Sequence, residues 1–307
     1  MPLRNRFLIV SIILGAAIAT GFTAADEPVA PADGKKPKPA PAPPEKPAPV
    51  PADQNERIEF FVSRLKDLRL HPLDEPKRNF SLIETPLYRF DNPVSSIADG
   101  FMFIWSDRGR PVAAMKSYYN GPNRSWGRTF VSLSQEALVL QSGGQKLWTP
   151  PPAPVQFAPL KGAPRPAERP SLRLAQMRKL AERFQVVDNW GLKDPTDWQL
   201  RLLTTPLHRY EAPQENVVDG ALFGYVLTSS PEAVVLLEAR NTDGELAWHY
   251  MVSRLTRFAI SFSLDDQKIA EYPRLNEWPA TGTYFHDPVP MPDYPFRNDT
   301  KPATLND

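Results

Sequence analysis

The chain has 307 residues, 36 of them proline and none cysteine, and its 36 basic and 35 acidic residues leave a net charge of +1. The lack of cysteine excludes disulfide frameworks, thiolate nucleophiles, Cys-ligated zinc and lipoprotein anchoring through a cysteine. A balanced charge without a basic stripe gives no electrostatic ground for nucleic-acid binding.

Residues 1–25 read as a signal peptide. Arg4 and Arg6 precede an apolar run from Phe7 to Phe22, and the small residues Thr23 and Ala25 fit cleavage before Asp26. The run falls short of the ~18 residues that a spanning helix needs. The chain is therefore expected to be exported, to a periplasmic or extracellular location. The alternative is an uncleaved anchor, and only then is membrane a partner. Residues 26–53 are rich in Pro, Ala and Lys; ten prolines and four lysines fall in 27–53. That composition predicts a disordered, extended spacer, or a contact with anionic envelope polymer.

The rest of the chain is organised by a repeat. Residues 85–105, TPLYRFDNPVSSIADGFMFIW, match residues 205–225, TPLHRYEAPQENVVDGALFGY, at eight of 21 positions with an offset of 120. A two-residue insertion then changes the offset to 122, placing Trp126 over Trp248 and Leu133 over Leu255. The matching predicts unit 1 over 54–151, a Pro-rich linker over 152–169, unit 2 over 170–275, and a Pro/aromatic strap and tail over 276–307.

Each unit is predicted to open with a helix. Ile58, Phe61, Val62, Leu65 and Leu68 recur at helical spacing in the first, and Leu174, Met177, Ala181 and Phe184 in the second. Arg173, Arg178, Lys179 and Arg183 lie off the second stripe and read as a solvated face. Strands follow: Phe80–Phe90 and Leu200–Tyr210, then Ala98–Ser106 and Val218–Thr228, then Val112–Tyr119 and Ala233–Arg240. Asn120-Gly121 and Asp243-Gly244 are turn signals. Trp126–Ser134 and Trp248–Arg257 are ambiguous between strand and short helix. A last hairpin pairs Leu138–Gln141 with Gln145–Trp148, and Phe258–Leu264 with Gln267–Tyr272. The fold class is α+β: two tandem repeats, each one helix plus a five- or six-strand antiparallel β-meander. The periods leave open whether the units close separate cores or pair edge to edge around a shared groove. The start of the C-terminal strap is expected to pack on unit 2, and the last dozen residues to be mobile.

Candidate site residues are few. Arg89 and Arg209 occupy matching places two residues from Asp91 and Glu211. They suit an arginine fork for carboxylate or phosphate, or an arginine held by its own acidic neighbour. Asp99-Gly100 and Asp219-Gly220 offer carboxylates for acid or base work, though such steps usually belong to turns or bulges, where glycine supplies backbone freedom. His71, His208, His249 and His286 show no metal-ligand spacing, no nucleophile-elbow or phosphate-loop motif occurs, and no cofactor is expected. The tryptophans suit either core packing or a cleft for carbohydrate or lipid. Trp126 and Trp248 are equivalent in the repeat and read as core. Trp105 and Trp148 have no tryptophan counterpart in unit 2 and are the unit-specific binding candidates.

The segment TPLHRYEAPQENVVDGALFGYV, followed by AVVLLEAR and Trp248 and preceded by PRPAERPSLRLAQMRKLAERF, resembles a family of secreted proteins found in planctomycete-type bacteria. The resemblance implies an exported envelope protein and carries no activity, ligand or catalytic residue. The sequence thus points to an exported, non-enzymatic binding or scaffolding protein, its partner a glycan, lipid or protein of the envelope. Two alternatives remain: an envelope hydrolase using Asp99 or Asp219 on glycan or peptide, and a membrane-tethered periplasmic adapter.

Overall fold

The computed structural model describes residues 38–39, 52–120, 125–154, 156–191 and 195–290. The expected signal peptide, most of the spacer, the turn at Gly121 and the final tail lie outside these residues.

The elements in chain order are β1 (Lys38–Pro39), α1 (Ala52–Ser63), β2 (Leu68–Pro72), β3 (Ser81–Leu82), β4 (Tyr88–Asn92), β5 (Ile97–Asp107), β6 (Arg110–Asn120), β7 (Ser125–Ser132), β8 (Leu138–Ser142) and β9 (Gln145–Trp148). The linker contributes β10 (Ala158–Pro159). Then come α2 (Pro170–Ala181), β11 (Phe184–Trp190), β12 (Thr196–Gln199), β13 (Arg201–Leu202), β14 (His208–Ala212), β15 (Val217–Leu227), β16 (Ser230–Thr242), β17 (Glu245–Arg254), β18 (Ala259–Leu264), β19 (Gln267–Tyr272) and β20 (Tyr284–Pro290). The fold is mostly antiparallel β, with two helices among the described residues.

Instead of one meander, each half of the chain divides its strands between a large and a small sheet. The first half builds β20-β7-β6-β5-β3, with β4 also on β5, and a separate β2-β8-β9. The second builds β10-β17-β16-β15-β13, with β14 on β15, and a separate β1-β12-β11-β18-β19. Strands β2 and β11 were not foreseen. Leu68 and Phe184 continue the helical spacing, but α1 and α2 stop at Ser63 and Ala181 and both residues begin strands. The ambiguous Trp126 and Trp248 segments are strands, and the stretch Phe80–Phe90 breaks into two short strands, as does its counterpart. Asp243-Gly244 makes the expected tight turn with both φ angles positive, 54° and 85°.

The two large sheets lie face to face, and this settles the question of the cores. In β5, Phe101, Phe103 and Trp105 point to a core closed by α1 and the small sheet, while Met102 and Ile104 point the other way. In β15, Ala221, Phe223 and Tyr225 face α2, while Leu222 faces the first half. The middle layer combines Met102, Ile104 and Ala114 with Leu222, Val234 and Leu236. Each half keeps an outer core, and the two share an inner one. Because the central strands are buried on both faces, they are apolar at nearly every residue rather than at alternate ones.

One further expectation changes. The strap's strand does not add to unit 2: β20 extends the first half's sheet, pairing antiparallel with β7 from Tyr284↔Val131 to Pro290↔Ser125. Lys38–Pro39, within the expected disordered spacer, pairs in parallel with Trp198 and Gln199. The linker between the halves is anchored by β10, which pairs with Tyr250 and His249. The Asp-Gly steps do sit at register shifts in β5 and β15. Their glycines are there for room, since Phe90 and Tyr210 lie directly opposite Gly100 and Gly220. A Cβ would come within 2.5 and 2.6 Å of those rings.

Candidate functional site

The sequence candidates resolve first. Arg89 does not pair with its neighbour Asp91. It donates from Nε and a terminal nitrogen to both oxygens of Asp99, at 2.8 and 2.7 Å. Arg209 does the same to Asp219, at 2.9 and 2.6 Å. Each aspartate also meets an arginine from the helix above: Arg57 of α1 lies 3.6 Å from Asp99, and Arg173 of α2 donates to Asp219 at 2.8 Å. Arg173, expected on a solvated face, is buried. The carboxylates are 2% and 1% exposed. Burial pushes the Asp99 carboxyl up from its ordinary value, against the pull of Arg89 and Arg57. Each aspartate is thus a clamp between helix and sheet, with its lone pairs engaged by two guanidinium groups and no approach for a substrate. The Arg fork and the Asp acid are one structural pair, made twice. Asp91 instead meets Ser229 of the other half, Oγ to Oδ1 at 2.9 Å, and His208 Nε2 meets the Gly109 carbonyl oxygen at 3.0 Å.

Trp105 and Trp148 belong to the first outer core and are 1% and 0% exposed. Trp148 Nε1 donates to the Gly282 carbonyl at 2.8 Å, tying the strap to the first half. Neither offers a surface to a ligand.

The open site is a cleft of about 780 Å³ between the two large sheets, an ordinary size for a small-ligand pocket. One wall is the first half: Asn92, Ser95 and Ser96 at the bend between β4 and β5, and Lys116, Tyr118 and Asn120 of β6. The other is the second half: Ser230 and Glu232 of β16, Trp190, and the loop Thr256–Phe258. The strap closes it with Trp278, Tyr284 and His286. Strand parity explains the wall. Even-numbered residues of β6 and β16 face the middle layer, so Lys116 and Glu232 interrupt otherwise apolar strands on the same inner side as Ala114 and Val234. A smaller cavity of about 200 Å³ lies beside the strap, under Arg254 and Tyr272.

The charges inside are bridged across the halves. Lys116 Nζ donates to Glu232 Oε2 at 3.2 Å and to the Pro231 carbonyl at 2.8 Å. Further along the same interface, Arg110 bridges Glu215 and Glu238. His286 stacks on Tyr118, with ring centroids 6.2 Å apart and planes at 6°. Burial lowers its pKa below the ordinary imidazole value, with the charges of Arg257 and Lys116 adding to the effect against Asp287, so the ring is neutral at pH 7. Burial raises the phenol of Tyr118.

Behind the cleft sits Asp188 of β11, fully buried with neither oxygen hydrogen-bonded. Burial, then the charge of Glu232, push its pKa up to about 8, against Lys116, Arg254 and Arg274. The folded chain therefore holds a proton that the unfolded chain releases above about pH 4. The unfolded state binds fewer protons in this window, so stability falls as pH rises, by up to ~1.4 kcal/mol per unit, and levels above about pH 8. Asp188→Asn removes the titration. In urea melts at pH 5, 7 and 9, the variant gains on the wild type as pH rises and the gap then levels. A gap independent of pH contradicts the assignment.

Sequence reading singled out no residue of this cleft, naming Trp190 and Trp278 only among the tryptophans as a group. Lys116 within VAAMKSYY and Glu232 ahead of AVVLLEAR carried a signal, as charges inside doubly buried strands. Trp190, Arg257 and Trp278 carried none, because only the tertiary fold brings them together. No family model, curated protein or solved structure matches this chain.

Proposed function

We propose that this is an exported, non-enzymatic binding module of the cell envelope, built from two homologous α+β units that share one ligand cleft. One observation carries the reading: a cavity of about 780 Å³ lies where the halves meet, with side chains of both converging on it. Such a mix of aromatic surface with a few placed polar groups is the usual make-up of a small-ligand site. Its aromatic rings, side-chain amides and hydroxyls suit an envelope glycan better than a lipid, whose chains make no hydrogen bonds to such groups. The hydrolase alternative loses its proposed acid and base, because Asp99 and Asp219 are each bound by two arginines. The tethered-adapter alternative turns on residues 1–25, and the intact mass of the native protein decides it.

The test is a titration of the full chain with soluble saccharides released from the envelope, read by tryptophan emission and by Tm. Ligand binding raises Tm by mass action. The expected result is a saturable change in both, lost in Trp278→Ala, with no new reducing ends after long incubation. Binding indifferent to Trp278→Ala moves the site elsewhere, and accumulation of reducing ends makes the protein an enzyme.

A further inference from the structure

The cleft contains an arginine held in place and left without a counter-ion. Arg257 is half-buried and has no hydrogen-bond or ion-pair partner for its guanidinium among the described residues, whereas the buried Arg128, Arg173 and Arg254 are each engaged by oxygens. Its central carbon lies 4.9 Å from the Trp278 ring centroid and 5.3 Å from that of Phe258. The group is therefore oriented by two aromatic faces, which attract the cation without consuming its donors. The backbone beneath it is fixed on both sides. Arg254 donates to the carbonyl oxygens of Thr256, at 2.7 Å, and of Phe258, and Leu275 N donates to the Arg257 carbonyl at 2.8 Å. Its charge reaches into the cleft, since it depresses the imidazole of His286 and opposes the rise at Tyr118. The other full charges on the wall, Lys116 and Glu232, neutralise each other. The cleft thus presents one net positive group, shaped as a fork, beside the rings of Trp278, Phe258 and Trp190.

We infer that the cleft takes an acidic saccharide, with the carboxylate of a uronic-acid-type residue on the Arg257 fork and sugar rings packed on the neighbouring aromatics. The inference rests on the cleft being the binding site and names its ligand class. A planar carboxylate matches two parallel N–H donors of the guanidinium. Asn92, Ser96, Asn120 and Thr256 on the lining offer further polar atoms to the hydroxyls of the ring.

The experiment is calorimetric titration of the full chain with an oligogalacturonate trimer and with the neutral galactose trimer, for the wild type, Arg257→Gln and Arg178→Gln. Arg178 lies on the exposed face of α2 and serves as the control. The wild type and Arg178→Gln are expected to bind the acidic trimer at least tenfold more tightly than the neutral one. Arg257→Gln is expected to reduce that preference to about twofold or less, with Tm close to wild type. If Arg257→Gln lowers Tm, Arg257→Lys carries the test, since it keeps the charge but loses the planar fork, and the preference should fall severalfold. Equal binding of the two trimers by the wild type, with both abolished by Trp278→Ala, overturns the ligand class and leaves the cleft as the site. Binding of neither trimer, or an acidic preference that survives Arg257→Gln, overturns the inference outright. A sugar phosphate that binds where the uronate does not replaces carboxylate with phosphate and overturns it too.

Discussion

Asp219→Ala is expected to lower the unfolding free energy by about 3–5 kcal/mol, the cost of leaving a buried charge without its partner. The orphan is Arg173, which is 5% exposed. It keeps the carbonyl oxygens of Ala167 and Glu168 but loses its one anion among the described residues. Arg209 also loses both of its carboxylate bonds. The effect should appear as a shift of the urea midpoint without a change in slope. Asp99→Ala is expected to cost less, because Arg57 and Arg89 are 15% and 29% exposed and can recover water. Equal, negligible losses at both positions would show that neither aspartate joins helix to sheet.

A stop after Asn276 is expected to have the larger effect. It removes β20 and with it Tyr284, buried in the inner core, and Phe285, stacked on Phe130 with centroids 5.9 Å apart. It also strips Asp287 from Arg128, a buried arginine whose ion pair among the described residues is to Asp287. Two aromatic side chains at ~1.5–3 kcal/mol each, together with an unpaired buried charge, amount to about 5 kcal/mol or more. The edge of β7 then lies bare, which favours strand-to-strand association. Thermal melting and light-scattering chromatography should show a markedly lower Tm and a raised mass. A monomer with the full-length Tm contradicts the pairing role of the strap.

The sequence recorded what is local and little of what is distant. The hairpins of β5 with β6 and β15 with β16 were legible because period, turn residues and apolar runs lie within about 25 residues of one another. The repeat was legible because the Asp–Arg pair and the ring over glycine constrain the same positions in each half. Pairing across strands was not, because it depends on register. Asp91 is nearer to Arg89 in sequence, but the strand opposite brings Asp99 to it. The helix ends were misread because Leu68 and Phe184 satisfy helical spacing and strand burial equally well. The apolar runs of β5 and β16 implied cover on both faces without naming the cover, so the inner core and the cleft stayed hidden. The cleft draws on seven separated segments, and only its two buried charges left a trace in the sequence.

The central claim is that both halves and the strap bind one ligand together. Hydrogen–deuterium exchange of the full chain, with and without saturating soluble envelope saccharide, tests it most directly. Slowed exchange is expected at once in residues 92–97, 256–258 and 278–286, with the outward faces of α1 and α2 unchanged. Protection confined to one half, or no protection in the cleft at a saccharide concentration that shifts Tm, contradicts the shared site.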